Sequence, residues 1–243
     1  MQIHIVQDAE AGGVVAADAV QRVLEEQRAT GPVLGLATGS SPLPAYAELI
    51  RRHREEGLSF AAARAFLLDE YVGLPDENVA SPDGTASDPH AEAAAYDRRI
   101  AEAGGVDLQI LGIGSNGHIA FNEPGSSLGS RTRVVGLTRS TIADNSRYFA
   151  SREDVPVQAL SQGLGTILEA RRIVLVASGE NKAAAVAQLV EGGISSRWPA
   201  TVLQMHPEVL VVVDEAAASR LELHEDYRHE RALEEGELAS RRS

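Results

Sequence analysis

The sequence predicts a doubly wound α/β fold: one mostly parallel β-sheet with helices on both faces. Two observations favour it. Six apolar runs rich in Val, Ile and Leu recur along the 243 residues, and segments with helical spacing separate most of them. Such runs are typical of strands buried on both faces, and alternation with helices favours parallel pairing. A third observation is that the chain contains no internal repeat and no long Pro/Gly/Ser linker, so we expect a single domain over residues 1–243.

The expected elements follow one another along the chain. The strand predictions, in order, are "IHIVQ", "PVLGLATG", "AFLLDEYVGL", "VDLQILGIG", "RIVLVASG" and "EVLVVVDE". The helix predictions are "GGVVAADAVQRVLEEQRA", "SPLPAYAELIRRHREEG", "DPHAEAAAYDRRIAEAG" and "NKAAAVAQLVEGG". The charged stretch from about 224 to 243 is expected to be a surface helix or tail.

The composition favours a cytoplasmic protein. Hydrophobic residues make up 44% of the chain, enough for a sizeable core, and the absence of cysteine excludes disulfides and thiolate metal sites. The first residues show no basic and apolar signal pattern, so we expect no secretory leader. No apolar run reaches the length of a membrane span, so we expect no membrane partner.

The charge of the chain limits its partners. A formal net charge of −13 and the absence of a basic stripe argue against nucleic acid. An anionic small molecule would bind only where local cations oppose the overall field. The chain has a single lysine, Lys182, against twenty-one arginines. Codon bias toward arginine explains why lysine is scarce, but it does not explain why the one lysine lies at position 182.

Four unusual turns follow predicted strands. They are "ATGSSP", "LDEYVGLP", "GIGSNGHIAFNEPGSS" and "ASGENK". Because ligands of open parallel sheets bind beyond the carboxyl ends of the strands, we expect these turns to form one shared site.

Two of these turns have features of an anion site. In "ATGSSP", Thr38, Gly39 and Ser40 precede a helix for which Ser41 is the expected N-cap and Pro42 the first residue. Free N–H groups there can hold a phosphate or carboxylate, although ordinary helix capping is an equally good interpretation. In "ASGENK", Lys182 lies in the first turn of a helix, where a cation is unfavourable unless an anion lies beside it.

The other two turns carry groups suited to proton transfer. Asp69 ends an apolar strand, where partial desolvation favours a raised pKa and a role as general base; capping of a neighbouring helix is the alternative. His118 follows several glycines that let the backbone turn sharply, and Glu123 can hold its ring in one tautomer. With one histidine in these turns and no paired-His motif, we expect no metal site.

At these residues the sequence resembles the glucosamine-6-phosphate deaminases, also called isomerase-deaminases. "LDEYVGLP", "NGHIAFNEPGSSLGSRTR" and "LTRSTIADNSRYF" look like the signature segments of that family, and "LATGSSPL" looks like its phosphate loop. The similarity extends from the first strand to about Asp214.

The resemblance implies a Rossmann-like fold and a reaction without a cofactor, in amino-sugar catabolism. Glucosamine 6-phosphate would be isomerised and deaminated to fructose 6-phosphate and ammonia. Asp69 would move a proton between C2 and C1, and His118, with Glu123 as its partner, would assist ring opening. The 6-phosphate would be bound by Thr38, Gly39, Ser40, Arg147 and Lys182.

The sequence departs from the family pattern at two places. Many members have an aspartate where this chain has Asn116, which would complete a triad with His118 and Glu123. An asparagine can accept a hydrogen bond from the histidine but brings no full charge to stabilise an imidazolium, so we expect activity with an altered pH profile. The second departure is a shortened segment after Pro75, which bears on the rim of the site and leaves monomer and homo-oligomer both open.

Two other functions are alternatives to the deaminase. A 6-phosphogluconolactonase would share the fold and a similar glycine-histidine turn, but Tyr71 and the Asn122–Glu123 pair argue against it. A non-catalytic module that senses sugar phosphates would not need Asp69 and His118 together.

Overall fold

The computed structural model describes residues 1–71 and 80–242 of the chain. Within these ranges, six strands form a parallel sheet in the order β1-β9-β8-β5-β2-β3. The strands are β1 (Gln2–Val6), β2 (Val33–Leu36), β3 (Arg64–Leu67), β5 (Leu108–Leu111), β8 (Ile173–Ala177) and β9 (Val209–Asp214). Each coincides with one of the six apolar runs, so the predicted doubly wound, mostly parallel fold is confirmed.

The helices are α1 (Ala9–Glu26), α2 (Leu43–Glu56), α3 (Pro89–Glu102), α4 (Arg139–Asn145), α5 (Leu164–Leu168), α6 (Ala183–Glu191), α7 (Glu215–Ala218) and α8 (His224–Arg242). Six of these helices in the described part of the chain lie between the strands of the parallel sheet, and α7 and α8 follow the last strand. Short 3₁₀ turns span Ser146–Tyr148, Arg152–Asp154, Glu180–Lys182 and Pro199–Met205. None of the helices in the described part of the chain combines the length and apolar character needed to cross a bilayer.

Capping residues explain where several helices begin. The Asp8 side chain accepts from the N–H of Ala11 at 2.8 Å, so α1 starts three residues before its predicted segment. Asp88 caps α3 in the same way. The expectation that Ser41 caps α2 is wrong: Pro42 occupies the cap position, and no side chain caps this helix.

A second sheet, which the sequence analysis did not predict, lies beside the first. It has three antiparallel strands in the order β4-β7-β6: β4 (Asp69–Tyr71), β6 (Arg133–Gly136) and β7 (Gln158–Ser161). The run "AFLLDEYVGL", read as one strand, divides at Leu68. The N–H of Leu68 still bonds to Leu36 in the parallel sheet, but its carbonyl accepts from Gln162, next to β7. After this change of sheet, Asp69 lies within hydrogen-bonding distance of Thr38, two residues beyond the end of β2.

The sheet order identifies the place for a ligand. From β2 the chain adds β3 on one side and later returns to add β5 on the other. Connections that leave a strand in opposite directions open a crevice at the carboxyl ends of the strands. Three of the four unusual turns follow β2, β3 and β5, and therefore meet at this crevice.

Candidate active site

A cavity of about 540 Å³ occupies this crevice. Seven of the nine residues expected to form the site line it: Thr38, Gly39, Ser40, Asp69, His118, Arg147 and Lys182. The other two, Asn116 and Glu123, do not line the cavity and contact His118 instead. The structure thus brings together residues from all four turns and from the segment around α4. The shortened segment after Pro75 begins outside the described residues.

Asp69 is a buried carboxyl group on the cavity wall. It begins β4 and is only 6% exposed, and Thr38 Oγ1 donates to its Oδ1 at 2.9 Å. Burial raises the pKa of Asp69 to about 6; nearby Glu70 raises it further, whereas Thr38 and His118 lower it. The group is mostly ionised at neutral pH and more basic than an ordinary aspartate, as a general base should be.

The turn that carries His118 depends on two glycines. The N–H of Gly114 bonds to the carbonyl of His118 at 2.9 Å, and a Cβ at Gly114 would lie 2.4 Å from the imidazole ring. Gly117 has a φ of +83°, and a Cβ there would lie 2.6 Å from the Trp198 ring. Gly114 therefore leaves room for the ring of His118, and Gly117 leaves room for Trp198 in a backbone conformation that other residues rarely adopt. The contribution of Trp198 was not anticipated from the sequence.

Glu123 has two differently engaged carboxylate oxygens. Oε2 accepts from Asn116 Nδ2 at 2.8 Å and lies 3.5 Å from His118 Nδ1. Oε1 accepts from the hydroxyl groups of Thr138, at 3.1 Å, and of Thr141. The carboxylate therefore joins the His118 turn to α4.

Asn116 bonds differently from the expectation drawn from the sequence. Its amide oxygen accepts from the backbone N–H of His118 at 3.2 Å rather than from the imidazole ring, and its amide nitrogen donates to Glu123. Asn116 thus fixes the carboxylate and the backbone of the turn, and the carboxylate of Glu123 alone faces the ring nitrogen.

The ionisation of Glu123 is secured by its neighbours. Burial alone would raise the pKa of this group, but the contacts with His118, Thr141 and Asn116 lower it to about 2. Glu123 therefore carries a negative charge at neutral pH, 3.5 Å from His118 Nδ1.

Two cationic side chains also line the cavity. Arg147 follows α4 and donates to Ser40 Oγ at 3.2 Å, which brings it to the turn after β2. Lys182 lies at the start of α6 and is partly buried. Burial and the nearby Arg147 lower the pKa of Lys182, whereas Asp144 raises it. A dianionic group bound here would compensate Lys182 for its partial burial and could form charge-assisted hydrogen bonds with both cations.

Further residues of the α4 segment complete the site. Thr138 and Thr141 contact Glu123, as described above. Asn145, from the same segment, donates to the hydroxyl of Tyr71 at 2.9 Å. Burial raises the pKa of Tyr71 to about 12, with the negative charge of Asp69 contributing, so this phenol stays protonated. Thr138, Thr141 and Asn145 lie in the segment "LTRSTIADNSRYF", yet nothing in the spacing of that segment indicated which of its residues contact Glu123.

The arrangement is suited to proton transfer on an anionic substrate. It provides a base at Asp69, an imidazole at His118 and cations at Arg147 and Lys182. Across residues 1–71 and 80–242, no three His, Asp or Glu side chains are grouped as a metal site would require.

Known proteins similar to this chain share one family. Residues 53–212, more than half of the chain, match the family described as glucosamine-6-phosphate isomerases/6-phosphogluconolactonase. A glucosamine-6-phosphate deaminase of Beutenbergia cavernae is 53% identical over 94% of this chain and 95% of its own length. One of Mycolicibacterium smegmatis is 52% identical over 94% of this chain and 95% of its own length.

Among solved structures, a deaminase is more similar to this chain in fold and sequence than a lactonase is. A monomeric glucosamine-6-phosphate deaminase superposes with a TM-score of 0.86 at 41% identity, covering 90% of this chain and 100% of its own. A 6-phosphogluconolactonase from Trypanosoma cruzi superposes with a TM-score of 0.70 at 20% identity, covering 91% of this chain and 97% of its own. The second similarity extends to the fold alone.

Proposed function

This chain belongs to the family of glucosamine-6-phosphate isomerases and 6-phosphogluconolactonases, and we propose that it acts as a glucosamine-6-phosphate deaminase. It converts glucosamine 6-phosphate and water to fructose 6-phosphate and ammonia, a step in amino-sugar catabolism. The relatives at 52–53% identity carry the deaminase name, whereas the lactonase from Trypanosoma cruzi is only 20% identical to this chain.

One observation carries the proposal. A buried carboxyl group with a pKa of about 6, Asp69, lies in one cavity with His118, and the cations Arg147 and Lys182 line the same cavity. A sugar phosphate held by its 6-phosphate at the cations would present its C1 and C2 to these two groups. A module that only senses sugar phosphates would not need a buried base beside an imidazole.

The proposed reaction begins with opening of the sugar ring. His118 delivers a proton to the ring oxygen as the bond between C1 and that oxygen breaks, and Glu123 stabilises the protonated imidazole. Asn116 contributes by holding Glu123 rather than by taking part in proton transfer.

Asp69 acts on the open-chain aldehyde. Its carboxylate removes the proton from C2 and returns it to C1; the former aldehyde oxygen takes up one proton and the amino group gives one up, which converts the 2-amino aldehyde to a ketimine. Water then adds to C2 of the ketimine, and ammonia leaves as the ketone forms. Each step moves protons or water without a change of overall oxidation state, so we propose that the reaction uses no cofactor and no metal.

We propose that Thr38, Gly39 and Ser40 contribute to phosphate binding with Arg147 and Lys182. The hydrogen bond from Arg147 to Ser40 supports this grouping. Because a phosphorylated sugar does not cross a bilayer unaided, we also propose that the enzyme works in the cytoplasm, as a single domain over residues 1–243. The proposed partner is the small-molecule substrate, with no nucleic acid and no membrane.

The activity is tested by measuring ammonia release from glucosamine 6-phosphate. Galactosamine 6-phosphate and 6-phosphogluconolactone are assayed in parallel. We expect turnover of the gluco substrate and no hydrolysis of the lactone above the uncatalysed rate. Lactone hydrolysis without ammonia release would replace the deaminase proposal by the lactonase alternative.

Arg147→Ala and Lys182→Ala should each raise KM for glucosamine 6-phosphate by about tenfold to a hundredfold. A charge-assisted hydrogen bond contributes about 1.5–3 kcal/mol, and each variant loses at least one. Arg139→Ala is the matched control, because Arg139 is exposed on α4 and does not line the cavity. Steady-state kinetics that give unchanged KM in both variants would place the phosphate elsewhere.

A further inference from the structure

The hydroxyl of Thr141 is directed at Glu123 and is removed from solvent. Thr141 is 3% exposed and Glu123 is 8% exposed. The Thr141 hydroxyl donates to Glu123 Oε1 and accepts from Thr138 Oγ1 at 3.0 Å. The single hydroxyl hydrogen of Thr141 is used in its bond to Glu123, so none remains to donate to a ligand in the cavity.

Thr138 cannot replace Thr141 in this contact. Its hydroxyl caps α4 by accepting from the N–H of Thr141 at 3.3 Å. Its single proton is shared among Glu123 Oε1, Thr141 and Ser140, which all lie within 3.1 Å. Without the Thr141 hydroxyl, Oε1 of the mostly buried Glu123 would keep the Thr138 hydroxyl as its donor, and that hydroxyl also bonds to Ser140.

The orientation of the Glu123 carboxylate matters because its contact with His118 is long. Oε2 lies 3.5 Å from His118 Nδ1, at the limit of a hydrogen bond. A small rotation of the carboxylate would therefore change whether Oε2 can reach His118 Nδ1. The contacts on Oε1 resist such a rotation, since both oxygens of a planar carboxylate turn together.

We propose that Thr141 is a positioning residue for the reaction: its hydroxyl orients Glu123 so that the carboxylate supports His118. The inference rests on the proposed deaminase function. The inference also connects Glu123 with the proposed phosphate site. The segment that contains Thr138 and Thr141 continues to Asn145, which bonds to Tyr71, and to Arg147, which bonds to Ser40.

Thr141→Val tests the role, because valine keeps the shape and removes the hydroxyl. We expect kcat for glucosamine 6-phosphate to fall by about tenfold to a hundredfold, the effect of losing a hydrogen bond to a charged group. KM should change by less than about threefold, because Thr141 donates to Glu123 and is not one of the residues proposed to bind the phosphate. Thr141→Ser, which restores the donor, should recover kcat to within about threefold of the parent.

Thr166→Val is the matched control. Thr166 is 6% exposed on α5, and its hydroxyl donates to the carboxylate of Asp97 at 3.2 Å, outside the cavity. Both valine variants lose a buried hydrogen bond to a carboxylate, so both should lower the unfolding temperature. Only Thr141→Val should lower kcat.

The outcomes separate this inference from the deaminase function. Equal kcat in the parent and Thr141→Val, with ammonia still released, would overturn the positioning role and leave the function intact. A fall in kcat that Thr141→Ser does not recover would also overturn it, because the methyl group rather than the hydroxyl would then be responsible. Failure of the function itself would appear as no ammonia release by the parent.

Discussion

Asp69→Asn is expected to lower kcat for ammonia release by about 10² to 10⁴, the usual contribution of a general base. Asparagine has the same shape and keeps an oxygen to accept the hydrogen bond from Thr38, but it cannot take a proton from carbon. Affinity for an acyclic analogue of the substrate should therefore stay within a fewfold of the parent. Stopped assays of ammonia and equilibrium binding of the analogue measure the two quantities separately.

The same substitution should stabilise the fold at neutral pH. The pKa of Asp69 is raised from an ordinary 3.8 to about 6 in the folded chain, so the folded state binds this proton more tightly than the unfolded state. The resulting stability is fully present below about pH 4 and is lost as the pH rises through 6. Asp69→Asn avoids this loss, which is at most about 3 kcal/mol. Chemical denaturation at pH 4 and pH 7 should show a gain only at the higher pH.

The pH dependence of the parent follows from the same group. Since the base must be ionised, kcat/KM should fall as the pH drops through about 6. Glu70→Gln is the matched control: it removes the neighbouring carboxylate that raises the pKa of Asp69, so the enzyme should stay active and the acid limb should move to lower pH. Proton exchange at C2 of the substrate at the parental rate in Asp69→Asn would show that another group is the base.

The parallel sheet was predictable because its central strands, such as β5 and β8, are buried along their whole length, and burial on both faces leaves an uninterrupted apolar run. The antiparallel sheet leaves no such mark. In β6, Arg133 and Val134 are only partly buried and Gly136 is exposed, so no apolar run distinguishes the strand from the loops around it. The pairing of Asp69 with Ser161 likewise depends on the change of sheet at Leu68, which is set by hydrogen bonds to distant backbone.

The reacting groups were predictable for a different reason. Asp69 and His118 follow apolar strands, and parallel strands bring the turns at their carboxyl ends to one edge. Arg147 stood out only as one of many arginines, and the family resemblance assigned it to the phosphate; its contact with Ser40, 107 residues away, could not be predicted from spacing. The hydroxyl contacts of Thr138 and Thr141 with Glu123 arise from the packing of α4 on a separate turn, and neither residue stands out by type or spacing.

His118→Gln is expected to slow ring opening more than the later steps. Glutamine occupies a similar volume but does not exchange a proton near neutral pH, so the loss in kcat with the cyclic substrate should be about 10² to 10⁴. An acyclic analogue needs no ring opening, and the variant should bind it nearly as well as the parent does. A cyclic analogue of the substrate should lose affinity by comparison, because the contact with the ring oxygen is gone.

Gly114→Ala provides a second route to the same defect while the imidazole remains in the chain. A Cβ at this position would lie 2.4 Å from the His118 ring and displace the ring from its place beside Glu123. Because Gly114 does not have a positive φ, its backbone conformation is also open to alanine. If His118 acts at ring opening, both variants should lose cyclic substrate turnover and keep acyclic binding. Equal loss of affinity for cyclic and acyclic ligands in His118→Gln would mean that the imidazole binds the sugar in general, and that ring opening depends on another group.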